Sequence, residues 1–202
     1  AELNGFTLSD GGSSSPTNTF VDGYQVYECS GGGMYASVSS PTLKSIIFRN
    51  NTVGESGGGY FGYQSSPVMT SVSFIGNSAR NGGGMANQDK SSPTVTDADF
   101  MNNSASFNGG AIFNIDTSAM VLNNAYVIGN ISYNGGGIAN EDLSVPIFTN
   151  VQITGNKAGN TGGGIYNNNF TETSLVNVTI ASNWSAVNGS GVYNSMNSEK
   201  AA

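Results

Sequence analysis

The stretch from Phe74 to Gly84 reads Phe-Ile-Gly-Asn-Ser-Ala-Arg-Asn-Gly-Gly-Gly, and it joins the two signatures that decide the fold of this chain. The first signature is Phe, or an aliphatic residue in its place, followed three positions later by Asn. The second is a glycine triplet or a close variant, ending at Gly33, Gly59, Gly84, Ala111, Gly137, Gly164 and Gly191. Both signatures return every 25 to 27 residues. An internal period of this length is typical of solenoids and related repeat proteins, in which each repeat is one structural unit.

Apolar residues occupy equivalent positions, which we call columns, in successive repeats. One column contains Leu43, Met69, Val95, Leu122, Phe148 and Leu175, and a second contains Ile46, Val72, Ala98, Ala125, Val151 and Val178. The second column and the Phe position alternate as in a strand with one buried face, whereas the first is out of phase with them. A bend must therefore separate the two. The bend column holds residues that favour turns or a left-handed backbone: Ser45, Ser71, Asp97, Asn124, Asn150 and Asn177.

Stacking is the only way for repeats of this size to bury their apolar columns, because a single repeat has no core of its own. The sequence therefore predicts an all-β parallel β-helix of about seven coils, with one repeat of ~26 residues per coil. Helical repeats are disfavoured by the glycine triplets, the prolines and the lack of a 3.6-residue period. We expect a partial first coil with an inserted flap or cap in residues 1–30, β-helix repeats in residues 31–196, and a C-terminal tail in residues 197–202.

Asparagine forms two further columns that predict hydrogen-bonded ladders, meaning stacks of side-chain amides linked from coil to coil. The first is Asn51, Asn77, Asn103, Asn130, Asn156 and Asn183, and the second is Asn87, Asn114, Asn140, Asn167 and Asn194. Stacked amides satisfy backbone groups that a turn would otherwise leave without a partner. We therefore assign these asparagines a structural role.

Composition excludes several classes of function. The 202 residues contain no histidine, so neither a Ser-His-Asp or Cys-His catalytic arrangement nor a histidine-ligated metal site exists. Six Lys and Arg residues against 13 Asp and Glu residues leave a net charge of −7, which disfavours nucleic acid as a partner. No apolar run reaches the roughly 18 residues of a membrane span, so we expect no direct membrane insertion. The single cysteine, Cys29, excludes an internal disulfide framework.

Two motifs carry a resemblance to a known family. Residues 109–112, Gly-Gly-Ala-Ile, match the motif GGA[I/L/V], and the tetrads that begin at Phe48, Phe74 and Phe100 match FxxN. In these motifs the chain resembles polymorphic outer-membrane proteins and related right-handed parallel β-helix surface proteins, over nearly all of residues 31–195. The resemblance implies a right-handed helix, an extracellular or cell-surface location, and adhesion as the function. The implied partners are a host surface, a glycan or sister subunits.

Two columns are candidate binding sites. Asp89, Asp116 and Asp142 occupy equivalent positions, and stacked carboxylates at strand spacing repel one another and could attract Ca²⁺. The alternative is a solvated loop in which each Asp caps a turn; no other cofactor is expected. An aromatic column contains Tyr35, Phe61, Phe113, Tyr166 and Tyr193. If it faces outward it could stack sugar rings or dock a neighbouring domain; the alternative is packing between coils.

Three functions remain open. The first is a non-catalytic extracellular β-helix, either a segment of a bacterial surface adhesin or a structural rod that displays its side faces for binding. The second is a filament subunit that stacks end to end. The third is a carbohydrate-active lyase or hydrolase, by analogy with other β-helices, that would use Asp97, Asp99, Asp89 or Asp116. No Arg or Lys lies in a column beside these carboxylates to serve as a lyase base, and we assign no catalytic residue.

Overall fold

The computed structural model describes residues 1–13, 19–21, 24–26 and 29–195, with no side chains described between residues 14 and 28. It confirms the predicted parallel β-helix: parallel sheets are stacked as a solenoid with a spacing of ~26 residues. About six turns are present rather than the predicted seven coils, because seven glycine triplets enclose only six full intervals. Among the described residues there is no helix, and so none that could cross a membrane.

Three parallel sheets run along the axis of the solenoid, and the first carries the bend. Its strands, in stacking order, are Glu2–Asn4 with Thr7–Ser9, Thr42–Lys44 with Ile47–Arg49, Val68–Ile75, Thr94–Met101, Val121–Ile128, Ile147–Thr154, and Ser174–Val176 with Thr179–Ala181. The left-handed backbone predicted for the bend column is confirmed, with φ of 56° at Asp97 and 51° at Asn124. The middle strands continue through this bend as single eight-residue strands, where the sequence predicts two separate pieces.

The second and third sheets contain shorter strands. The second consists of Met34–Ser37, Tyr60–Tyr63, Met85–Gln88, Ile112–Asn114, Ile138–Asn140, Ile165–Asn167 and Val192–Asn194. The third consists of Gly12–Ser13, Thr52–Val53, Ser78–Asn81, Ser104–Asn108, Ile131–Ser132, Lys157–Ala158 and Trp184–Ser185. The glycine triplet lies between these two sheets, where Gly57 has a φ of 68° and an added Cβ would clash with the Tyr60 carbonyl oxygen. Only glycine therefore fits the first position of the triplet without strain.

The predicted flap contains an antiparallel hairpin of Thr19–Val21 and Tyr24–Val26. The rest of it, residues 14–18, 22–23 and 27–28, lies outside the described residues, as do residues 196–202 with the predicted tail. A capping role for the flap thus stays a prediction. Cys29 is buried, and its Sγ accepts a hydrogen bond from the Ser13 hydroxyl at 3.4 Å.

The core consists of the apolar columns predicted from the sequence. Phe48, Phe74 and Phe100 are fully buried, and their rings stack with centroids 4.6 and 4.7 Å apart. Aromatic pairs of this kind contribute about 0.5–1.5 kcal/mol beyond the area that they bury. Three successive coils therefore each contribute a ring to one stack, and Val127, Ile153 and Ile180 continue the same column in register.

Candidate functional site

The two predicted asparagine ladders are confirmed, and both lie in the interior except in the last described coil, where Asn183 is half-buried and Asn194 is exposed. In the first ladder the Asn77 side-chain amide donates to Asn103 Oδ1 at 3.0 Å and to the Phe48 carbonyl oxygen at 2.9 Å. The same Oδ1 also accepts from the Asn77 backbone N–H at 3.0 Å. In the second ladder Asn87 Nδ2 donates to Asn114 Oδ1 at 2.8 Å. These amides are buried and committed to joining coils, so they cannot contact a ligand.

A further ladder, which the sequence analysis assigns only to turns, lies on the outer surface. Asn124 Nδ2 donates to Asp97 Oδ1 at 3.2 Å, and Asn150 Nδ2 donates to Asn124 Oδ1 at 3.0 Å. Asn177 Nδ2 extends the series by donating to Asn150 Oδ1 at 2.6 Å. The signal was present in the sequence, since these residues share the bend column. Their exposure follows from the left-handed backbone, which turns each side chain outward just before the next residue enters the core.

A groove of about 660 Å³ lies along this exposed ladder, and we call it the axial groove. It is lined by residues 97–99, 124–126 and 150–152 together with Asn177 and Thr179. Ala98, Ala125 and Val151 point into the core, so their backbone forms the floor. One wall is an outward column in parallel register: Asp99, Tyr126, Gln152 and Thr179.

The chemistry of the axial groove is polar, with one exposed aromatic ring. Tyr126 is 50% exposed and lies in register with Asp99 on one side and Gln152 on the other. None of the residues lining the groove is Lys or Arg. Of the four carboxylates proposed for an enzyme, the groove thus contains Asp97 and Asp99, on one strand, whereas Asp89 and Asp116 lie in turns that follow the second sheet.

The Asp column of the calcium hypothesis lies in these turns, where its carboxylates accept hydrogen bonds from amides. Gln64 Nε2 donates to Asp89 Oδ2 at 2.5 Å, and this hydrogen bond is the main reason that the pKa of Asp89 is lowered. Asn169 Nδ2 donates to Asp142 Oδ1 at 2.7 Å.

In the part of the chain that the structure describes, no three His, Cys, Asp or Glu side chains come together in a group that could hold a metal ion. The arrangement is that of carboxylates which cap turns, and a calcium site stays a prediction without support from the geometry.

Beside this column, Glu141 has an unusual environment. Burial, and then the charges of Asp142 and Asp116, raise the pKa of its carboxyl to about 7. Glu141 Oε1 accepts a hydrogen bond from Asn108 Nδ2 at 3.1 Å. Burial, followed by the nearby Glu141 charge, raises the pKa of Tyr166 to about 12. Glu141 thus changes its charge near neutral pH, which the sequence pattern did not indicate.

The aromatic column forms a second apolar cluster on the outer side of the second sheet. Phe61 and Phe113 are only 1% and 5% exposed, and they pack with Ala86 and Ala139. The turn that precedes the sheet lies close to this cluster: a Cβ on Gly82 would lie 2.9 Å from the Ala86 Cβ. At Phe61 and Phe113 the hypothesis of a sugar-stacking surface is therefore wrong, and the alternative, packing between coils, describes these side chains.

At the ends of the same column the rings reach the surface. Tyr35, Tyr166 and Tyr193 are partly exposed, and the rings of Tyr166 and Tyr193 stack with centroids 5.6 Å apart. At these tyrosines binding stays a prediction.

An exposed aromatic patch on the third sheet was missed by the sequence analysis. The rings of Phe107 and Tyr133 stack with centroids 6.1 Å apart, and the Arg80 guanidinium carbon lies 5.7 Å from the Phe107 centroid. One coil further, Lys157 Nζ lies 4.9 Å from the Trp184 ring centroid. Phe107, Lys157 and Trp184 lie within strands of the third sheet, and Tyr133 directly follows one.

Comparison with known proteins finds no matching family model, no similar curated protein and no similar solved structure. The evidence for the fold and for the axial groove consequently comes from this chain alone. The likeness to polymorphic outer-membrane proteins stays a resemblance carried by the GGA[I/L/V] and FxxN motifs.

Proposed function

We propose that this chain is a non-catalytic β-helix segment of an extracellular surface protein, a rigid rod that displays its side faces for binding. The observation that carries the proposal is the pair of buried ladders, which run from Asn51 to Asn183 and from Asn87 to Asn194. A repeat protein contacts only its neighbouring repeats, so these links and the ring stack determine the stiffness of the rod. The interior polar groups thus serve the structure, and binding is left to the outer faces.

The outer faces support display rather than catalysis. The axial groove contains carboxylates but no histidine, lysine or arginine among its lining residues, so a base for lyase chemistry is missing there. Arrays of exposed side chains on the first and third sheets repeat with the coil, as expected of a surface that contacts an extended partner. The family resemblance favours the bacterial cell surface as the location and a host surface, a glycan or a sister subunit as the partner.

Antibody labelling of intact source cells tests the location. We expect antibodies against the purified chain to label cells that have not been permeabilised. Labelling that appears only after permeabilisation would contradict the proposal.

Incubation of the chain with neutral and acidic polysaccharides tests the absence of catalysis, and no new reducing ends or unsaturated products are expected. Product release that is lost in the double variant Asp97→Asn, Asp99→Asn would establish the enzyme instead.

A filament subunit is the second candidate, and it would stack on the coil that contains Leu175. Leu175 belongs to an inward column whose other five members are fully buried, yet it is 41% exposed. Within the described residues, the strands of this coil pair on one side only. A second copy stacked on this end would bury Leu175 and pair the open strand edge. Light scattering should then show a mass that rises with concentration and falls back for Leu175→Lys, whereas a monomer at every concentration would exclude the filament.

A further inference from the structure

We propose that the axial groove binds a neutral, extended glycan whose chain runs parallel to the rod axis. This inference rests on the proposed function as a display rod and names the ligand class of one face. The groove follows the stacked coils, so equivalent side chains recur at the strand spacing of about 4.8 Å. That repeat is similar to the advance per residue of an extended pyranose chain, which allows one coil to serve one sugar.

Hydrogen-bonding capacity remains in the exposed ladder. A side-chain amide has two N–H donors and two acceptor lone pairs. Asn124 and Asn150 each use one donor and one acceptor within the ladder. Asn124 and Asn150 therefore each keep a further donor and a further acceptor outside the ladder, and this combination matches sugar hydroxyls, which both donate and accept.

The wall of the groove adds the other elements of sugar recognition. The half-exposed ring of Tyr126 provides an apolar surface for the C–H face of a pyranose, flanked in register by Asp99 and Gln152. The carboxylates of Asp97 and Asp99 are acceptors for neighbouring hydroxyls. Because no positive side chain lines the groove, these two charges repel a uronate or sulfated chain, so the ligand is neutral.

Other occupants fit less well. An added peptide strand needs a free sheet edge, whereas the backbone of this floor is paired on both sides within the first sheet. An apolar protein surface does not complement the amides and carboxylates that line the groove. Nucleic acid is repelled by the carboxylates and by the net charge of −7.

Calorimetric titration with soluble β-1,4-linked hexasaccharides of glucose, xylose and mannose, and with an oligogalacturonate, tests the inference. We expect at least one neutral hexasaccharide to bind more tightly than its trisaccharide, and the oligogalacturonate to bind weakly or not at all. Tyr126→Ala and Gln152→Ala should each weaken binding, the former about tenfold or more. Tyr133→Ala is the matched control, since Tyr133 is 47% exposed but lies on the third sheet.

The outcomes separate this inference from the proposed function. An absence of binding by every neutral hexasaccharide at millimolar concentration overturns the groove assignment, as does preferential binding of the oligogalacturonate. Equal losses for Tyr126→Ala and Tyr133→Ala, with unchanged thermal midpoints, also overturn it. If antibodies label intact cells but no hexasaccharide binds, only the assignment of the groove as a glycan site is wrong. If a glycan binds and is then cleaved, only the proposed absence of catalysis is wrong.

Discussion

Two asparagine stacks in this molecule share side-chain type, coil spacing and hydrogen-bond length, yet they differ in what surrounds them. The ladder through Asn103 is buried, and its amides also bond the backbone of neighbouring coils. The stack through Asn124 is exposed, and its amides bond only each other and Asp97. Because of this difference in exposure, the buried ladder stabilises the fold, whereas the exposed stack leaves polar groups available to a ligand.

The largest expected effect comes from breaking the buried ladder. Asn103→Ala removes the acceptor of two buried N–H groups, the Asn77 backbone N–H and one N–H of its side-chain amide, whose other N–H still donates to the Phe48 carbonyl oxygen. Each buried group left without a partner costs about 1–3 kcal/mol, so we expect a loss of roughly 4 kcal/mol in the free energy of unfolding. Denaturant unfolding measures it.

Asn124→Gly is the matched control for the exposed stack. Glycine keeps the left-handed backbone at this position, where φ is 51°, and water replaces the lost hydrogen bonds. We expect a change of about 0.5 kcal/mol or less. Equal losses of unfolding free energy for Asn103→Ala and Asn124→Gly would show that burial does not determine how much each stack contributes to stability.

A second comparison is between aromatic side chains on two outer faces. Phe61, on the second sheet, is buried in a cluster with Ala86 and Phe113, and Phe61→Ala should cost about 3 kcal/mol of unfolding free energy because it leaves a cavity. Tyr126, on the first sheet, is half exposed, so Tyr126→Ala should cost about 0.5 kcal/mol or less and act on glycan affinity instead. A large stability loss for Tyr126→Ala would mean that the groove wall is part of the core.

A third expected effect on stability depends on pH and is smaller than the losses for Asn103→Ala and Phe61→Ala. The pKa of about 7 for Glu141 lies above the usual 4.5, so the folded state binds this proton more tightly than the unfolded state does. Stability is therefore lost as pH rises from about 4.5 to about 7. Gln keeps an acceptor for Asn108 Nδ2 without the charge, so Glu141→Gln should be more stable than the parent at pH 8, by on the order of 2 kcal/mol.

At pH 4 the carboxyl of Glu141 is protonated in both states, and the difference between Glu141→Gln and the parent should disappear. Thermal midpoints at the two pH values measure this. A gain of the same size at pH 4 and pH 8 would show that packing rather than charge is responsible.

Much of the fold was predictable because every coil contains the same sequence pattern. Once Phe48, Phe74 and Phe100 are equivalent, parallel pairing brings their rings into one stack, and the same register aligns Asn51, Asn77 and Asn103. The site was less predictable. The bend column was recognised as a turn, but nothing in Asn124 or Asn150 indicated that their amides would line a groove. Glu141 likewise acquires its pKa from burial and from Asp116 on another coil.

The sequence by itself determined the coil length, the inward columns and the two buried ladders, because a regular period forces equivalent residues of successive coils into register. Only the tertiary structure decided which outward side chains reach solvent. Alternation along a strand separates the two faces of a sheet but does not show what lies over the outer one. On the outer side of the second sheet Phe61 and Phe113 are buried in a cluster with Ala86 and Ala139, while the bend of the first sheet leaves Asn124 and Tyr126 open along the rod axis.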